Sequence, residues 1–406
     1  MISTRITQLS MAAVVMSLVV GLCGCDLLVD ILVSPDEGKD IPAPDTPISM
    51  DIGIVVGLTG EYATPYGLSM ERGFNLVRDE INSIDPDLLP LKLNFIVEDD
   101  MSTVDGAVAA VERLIEAGVP AIVGITLSAH LAEAFPIAQE NQVVAFSPLS
   151  SAAGLSSIGD YIFRAALAVD KMNPAGVKIT HAQLGYERVA MIYDDADLYS
   201  NSSNEHLAIA LADLGVEVTT TQTFQTGDTD FTAQLTTIME TNPDALFISG
   251  LAPEMVKVMV QGREAGVTSR YIIPELSMTE VEMVGDAAEG AITFTSWIST
   301  SDNPLNQSFV ESYRAAYGVE PDTWAAQSYA MLAILYQAIL DAMSMNPAMA
   351  PDAAAIRDAL AMIKDFDTNL GNFSFDANGE AVYDPVVLVV KDGNLELFGD
   401  SEEMSP

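Results

Sequence analysis

IGIVVGLTGEYATPYG, residues 52–67, decides how the rest of the chain is read. Its first six residues are a short apolar run closed by Gly57, the pattern of a strand buried on both faces of a sheet. A helical stripe follows at once: Met70, Phe74, Val77 and Ile81 share one face of a predicted helix over 66–83. A buried strand followed directly by a helix calls for a parallel neighbour, because parallel strands are joined by crossovers.

Outward from there the unit repeats. Strands are predicted over 91–97 (LKLNFIV), 120–124 (PAIVG) and 143–146, alternating with helices over 103–117 and 128–141. In the first of these helices Ala107, Val111, Leu114 and Ile115 face inward. A second series runs helix 170–184, strand 188–193, helix 201–214, strand 216–224, helix 230–240, strand 244–249, helix 253–265, and strands 270–273 and 291–296. Three helices in succession, 304–317, 322–344 and 352–363, return the chain to the first series, and strands over 373–375 and 386–390 with a turn at 391–394 close it.

Two such series predict an α/β protein of two doubly wound lobes, each with a parallel central sheet, joined by a hinge of several crossovers. Lobe 1 is expected over 51–168 and 293–370, lobe 2 over 169–292 and 371–398, with an acidic tail at 399–406. Lobes joined more than once enclose a cleft, the usual place for a small ligand.

Composition narrows the function. The 406 residues are 49% hydrophobic, enough for large cores, so a disordered chain is excluded. Against 17 Lys+Arg stand 58 Asp+Glu, a formal net charge of −41. That field repels phosphates, so nucleic acid is not an expected partner. With 3 His and 2 Cys the chain cannot build zinc fingers or a disulfide scaffold. The histidines, His130, His181 and His206, have no metal-ligand spacing, and neither metal nor cofactor is expected. A phosphate loop, a dinucleotide fingerprint and a nucleophile elbow are all missing, so no catalytic residues are assigned and an enzyme is not expected. The Glu98-Asp99-Asp100 run reads as solvated loop charge.

The first 25 residues read as an address. Arg5 precedes an apolar run over 11–22 that is too short to span a bilayer. Leu22-Cys23-Gly24-Cys25 resembles the lipobox of bacterial lipoproteins, which implies a signal peptide over 1–24 and a lipid on Cys25. An ordinary secretory signal is the plainer alternative. Asp26 resembles a signal for retention in the inner membrane. Residues 25–50, rich in Pro, Asp and Ser, then form a tether. The expected location is extracytoplasmic, anchored by lipid to a membrane.

Several stretches resemble, in order and spacing across about 51–398, the periplasmic type I binding proteins, in particular the branched-chain amino acid (Leu/Ile/Val) receptors of ABC transporters. They include residues 54–63, Val97-Glu-Asp-Asp100, Phe146-Ser-Pro148, Asp228-Thr-Asp-Phe231, Gly285-Asp-Ala-Ala-Glu-Gly290, Tyr317-Gly-Val-Glu-Pro321 and Phe375-Asp-Ala-Asn-Gly379. The resemblance implies capture of an amino acid, branched-chain or similarly apolar, and its delivery to an ABC permease in the inner membrane, with the protein acting as a monomer.

A zwitterion needs neutral donors for its carboxylate and an acceptor for its ammonium. The resemblance places Ser128, the backbone of Leu149 and Ser151 on the carboxylate, Glu275 on the ammonium, and Tyr66 and Tyr199 around the ligand. Read alone, Ser128 is a helix N-cap, Glu275 a surface acid, and the two tyrosines core residues. Trp324 reads mainly as packing. The chain departs from the family at Leu251-Ala252, where two tyrosines are usual, and at Met101 and Leu127, where a disulfide is usual. Ligand class is therefore safer than identity, and amides, urea or aromatic acids are alternatives. Another is a sensing or cell-wall-regulating lipoprotein of the same fold.

Overall fold

A computed structural model describes residues 48–86, 91–345 and 349–399. The expected signal peptide, Cys25, most of the tether and residues 400–406 lie outside the described residues.

The first sheet is wholly parallel, in the order β2-β1-β3-β4-β5. Its strands are β1 (Ile48–Val56), β2 (Leu91–Asp99), β3 (Ala121–Gly124), β4 (Val144–Ser147) and β5 (Ile162–Arg164). The intervening helices are α1 (Leu68–Ser83), α2 (Val104–Glu116) and α3 (Ser128–Glu140). Met70, Phe74, Val77 and Ile81 are buried as the stripe predicts. Ile52, Ile54 and Val56 are buried in the same cluster, while Val55 points into a second cluster with the inner faces of α2 and α3. Burial on both faces is why β1 shows no polar alternation.

The second sheet runs β15-β14-β10-β9-β8-β6-β7. Here β6 (Arg188–Asp194), β7 (Glu217–Phe224), β8 (Ala245–Ser249), β9 (Arg270–Ile272) and β10 (Ile292–Thr295) are parallel, and β14 (Val386–Lys391) and β15 (Asn394–Leu397) form an antiparallel edge. The helices α4 (Val169–Leu184), α5 (Leu198–Asp213), α6 (Thr232–Thr241), α7 (Ala252–Ala265) and α8 (Met278–Val284) belong to this lobe. The turn between β14 and β15 is Asp392-Gly393, both at positive φ, the backbone a tight hairpin requires.

After β10 the chain returns to lobe 1 as α9 (Pro304–Tyr317), α10 (Thr323–Met345) and α11 (Ala353–Leu360). Helix α10 is apolar nearly all round, and such a helix must be covered on every side. It packs on α1 and α11, and the Tyr336 hydroxyl donates to the Leu91 carbonyl at 3.1 Å. No helix among the described residues is long and apolar enough to cross a membrane.

Several boundaries differ from the sequence reading. Strand β1 begins at Ile48, inside the expected tether, because residues 48–50 pair with 91–93. Residues 293–295, expected in lobe 1, are part of β10 in the second sheet. Residues 371–382, expected in lobe 2, pack on lobe 1 as β12 (Gly371–Phe375) and β13 (Ala381–Val382), beside β11 (Phe366–Thr368). The Phe375 ring needs apolar cover and finds it against Phe163 at 5.2 Å and Phe146 at 5.6 Å. Helix α5 starts at Leu198, not 201, because Asp197 caps it by accepting from the Ser200 amide at 2.8 Å.

The chain thus passes between the sheets three times, at 165–168, 296–303 and 383–385. Two of these strands are tied together: the Tyr383 hydroxyl donates to the Ala165 carbonyl at 3.0 Å and accepts from the Leu167 amide at 3.1 Å. That is the hinge.

Candidate functional site

In both sheets the loops after the carboxyl ends of the strands face each other, and a nearly closed cleft with about 40 Å³ of free space lies between them. All six residues singled out in the sequence, Tyr66, Ser128, Leu149, Ser151, Tyr199 and Glu275, line it.

Three come from lobe 1 loops after β3 and β4. Ser128 is the first residue of α3 and not its N-cap; Leu127 holds the cap position and makes no side-chain cap. The Ser128 hydroxyl instead accepts from the Ala152 amide at 3.1 Å, because the loop after β4 folds over it. That loop is fixed from within: Ser147 donates to the Ile125 carbonyl at 3.0 Å and accepts from the Ser150 amide at 3.2 Å. Leu149 and Ser151 stand on it, nearly inaccessible to solvent.

Lobe 2 answers with Tyr199, in the first turn of α5, and Glu275, after β9. The Tyr199 hydroxyl donates to the Pro274 carbonyl at 3.2 Å. Glu275 sits at φ +61°, a conformation that costs a side-chain-bearing residue free energy and recurs at functional sites. Its amide donates to the Phe294 carbonyl at 2.9 Å, and its carboxylate accepts from the Ser151 hydroxyl at 2.7 Å across the cleft. Burial pushes the Glu275 carboxyl up to about 7, against the hydroxyls of Ser151 and Tyr199 and the more distant charge of Arg164, which draw it down.

The lobes meet at further points. The Tyr66 hydroxyl accepts from the Ala252 amide at 2.8 Å, occupying a free N–H of the first turn of α7. Trp324, read from sequence as packing, is a cleft wall: its indole N–H donates to Glu280 at 3.1 Å and its ring meets Tyr66 edge-on at 5.4 Å. Asp322 accepts from Ser69 of lobe 1 and Thr279 of lobe 2, both at 2.7 Å. Burial raises the carboxyls of both Glu280, to about 7, and Asp322, and the Asp322 charge raises Glu280 further.

The rest of the lining is largely apolar: Leu127, Gly250, Leu251 and Met255, with Thr126 beside them. Leu251 was visible as a departure from the family pattern. Met255 was not, because a buried Met one turn into a helix carries no signal beyond core packing.

Two of the acids at the end of β2, Asp99 and Asp100, are engaged by the loop and are not free solvated charges. Asp99 accepts from the amides of Leu58, Thr59 and Met101 and from the Thr59 hydroxyl, and Asp100 is 1% exposed beside His130. They hold the loop that precedes Tyr66. Among the described residues no group of three or more His, Cys, Asp or Glu is arranged to hold a metal ion.

Comparison with known proteins gives a consistent picture. The profile of the family described as periplasmic binding protein matches residues 49–394. A leucine-, isoleucine-, valine-, threonine- and alanine-binding protein of Pseudomonas aeruginosa is 22% identical over 333 residues, covering 80% of this chain and 87% of its own. Among solved structures, the leucine-binding protein LivK of Thermotoga maritima superposes with a TM-score of 0.79 at 28% identity, covering 86% of this chain and 97% of its own. The branched-chain amino acid transporter substrate-binding protein LivJ of Streptococcus pneumoniae, in complex with isoleucine, gives 0.78 at 25% identity, covering 86% and 98%.

Proposed function

The chain belongs to the periplasmic binding protein family, and on that premise we propose that it captures a free amino acid with an apolar side chain and presents it to a permease. Members are extracytoplasmic solute-binding components of ABC transporters and not enzymes, so a small-molecule ligand and a permease partner follow from membership. The finer reading, which amino acid and by which groups, rests on the chemistry of the cleft.

One observation carries it: a hydroxyl on one lobe and a carboxylate on the other, Ser151 and Glu275, face each other at 2.7 Å in a largely apolar cleft. Lobe 1 contributes hydroxyls and loop amides, which suit a carboxylate without a charged partner. Lobe 2 contributes one carboxylate, which suits an ammonium. Tyr66, Trp324, Leu251 and Met255 leave an apolar remainder for a side chain. In this reading the ligand inserts between Ser151 and Glu275, replacing their direct bond with two of its own, and the closed form is selected from an existing open–closed equilibrium. Cys25 would hold the protein at the membrane by a lipid.

Calorimetric titration with the twenty amino acids tests the assignment. Heat and a raised thermal midpoint are expected for leucine, isoleucine or valine. No response to any of the twenty rejects the amino acid reading.

A further inference from the structure

Arg164 ends β5 and is completely buried, the largest such side chain among the described residues. All five of its N–H donors are used. Nε donates to the Ser156 hydroxyl at 3.2 Å. Nη1 donates to the Ser150 carbonyl at 2.9 Å and the Ala152 carbonyl at 2.6 Å. Nη2 donates to both carboxylate oxygens of Glu380, on the turn between β12 and β13. The Arg164 amide also donates to the Gly379 carbonyl at 3.2 Å.

The two carbonyls on Nη1 belong to the residues on either side of Ser151. One guanidinium nitrogen therefore brackets the residue that faces Glu275. A cation on the Ser150 carbonyl also polarises that peptide, and the N–H of the same peptide is that of Ser151, so it becomes a better donor to an anion. The charge is felt across the cleft, since Arg164 is the cation that lowers the carboxyl of Glu275. A buried guanidinium is costly unless paired, and Glu380 supplies the pair through Nη2, the nitrogen not bonded to the peptides flanking Ser151.

We propose that Arg164 is the positioning residue of the acid-binding loop: it pins the peptides flanking Ser151 and places a positive charge behind them, so that neutral groups can hold a ligand carboxylate. This deepens the amino acid reading above and rests on it. Glu380 is the counter-charge that makes the burial tolerable; it does not assist binding.

The test uses the intact chain with Arg164→Met, Arg164→Lys and Glu380→Gln, L-leucine as calorimetric probe, and hydrogen exchange of the 148–153 segment. Arg164→Met is expected to weaken L-leucine about 30-fold, the size of lost hydrogen bonds to a charged group. Arg164→Lys, which keeps the charge but not the fork, should recover part of that loss. Glu380→Gln should lower the thermal midpoint while leaving L-leucine affinity unchanged or tighter, an outcome that a purely structural role for the pair does not give. Wild-type affinity in Arg164→Met, or equal losses in all three variants, overturns the proposal. Should Arg164→Met not fold, Arg164→Lys against Glu380→Gln makes the same comparison. Should the wild type bind none of the twenty amino acids, the amino acid reading falls by itself and exchange decides: faster exchange confined to 148–153 in the Arg164 variants upholds the positioning role, and unchanged exchange there overturns it.

Discussion

Ser151 and Glu275 are 124 residues apart in the chain and 2.7 Å apart across the cleft, hydroxyl to carboxylate. A ligand that is acid at one end and amine at the other can satisfy both partners at once, whereas a neutral or anionic ligand leaves Glu275 buried without a counter-charge. Glu275→Gln keeps the shape and removes the charge. L-Leucine affinity should then fall on the order of 100-fold in calorimetry, as expected for loss of a charged hydrogen-bond partner. A change of less than about threefold would point to an uncharged or acidic ligand.

The pH dependence of binding follows with a definite sign. The Glu275 carboxyl is pushed up to about 7 by burial, and an ammonium ligand needs it ionised. Below pH 7 a proton competes with the ligand. L-Leucine affinity measured at pH 5 should be weaker than at pH 8 by roughly 50- to 100-fold, and Glu275→Gln should abolish the difference.

Tyr66 contributes one of the bonds across the cleft. Its hydroxyl accepts from the Ala252 amide at 2.8 Å, and Phe in its place leaves that N–H buried and unpaired only when the lobes are together. Tyr66→Phe should therefore cost about 1–2 kcal/mol of the closed form, read as a 5- to 30-fold rise in the L-leucine Kd with little change in the thermal midpoint of the protein without ligand.

Glu280 and Asp322 make closure and stability depend on pH through a separate pair. Both carboxyls are raised by burial, Glu280 to about 7 with Asp322 adding to it, and they come from opposite lobes. A carboxyl raised in the folded state binds its proton more tightly there than in the unfolded chain. The stability it contributes is present below its unfolded value near 4.5 and is lost as pH rises through about 7. The thermal midpoint should fall between pH 5 and 8, and Glu280→Gln, which imitates the protonated acid, should make that fall shallower. An unchanged slope would show that Glu280 does not titrate in this range.

How much of this the sequence disclosed depended on whether a residue acts through its own segment. Strands such as β1 and β8 are buried on both faces and announce themselves as apolar runs, and the helical stripe of α1 is complete within the 12 residues 70–81. Ser128, Ser151 and Glu275 were singled out through the family resemblance; read alone they were a cap, a loop hydroxyl and a surface acid, although each follows a strand, where an open α/β sheet presents its loops to a cleft. The short elements β5 and α8 were missed, since three and seven residues hold too little of a period to register. Trp324 and Arg164 were missed for another reason. Trp324 is held by a contact to Glu280, 44 residues away, and the burial of Arg164 depends on Glu380, 216 residues away, and no local pattern encodes those.

Two glycines set the approach of the lobe 1 loops, and each gives a stability prediction. A Cβ on Gly67 would lie 1.8 Å from the Gly57 carbonyl oxygen, so the turn that carries Tyr66 could not pack on the end of β1. A Cβ on Gly124 would lie 2.0 Å from the Val55 carbonyl oxygen, in a residue already at φ +116°, where L side chains are disfavoured. Neither obstacle is a flexible side chain, so the backbone itself must move. Gly67→Ala and Gly124→Ala should each cost roughly 2–4 kcal/mol in denaturant unfolding, against at most about 1 kcal/mol for an unconstrained glycine. The Gly124 variant should also loosen the loop leading to Ser128, and a variant that unfolds like the wild type would show that β3 can leave β1 at less cost than this packing implies.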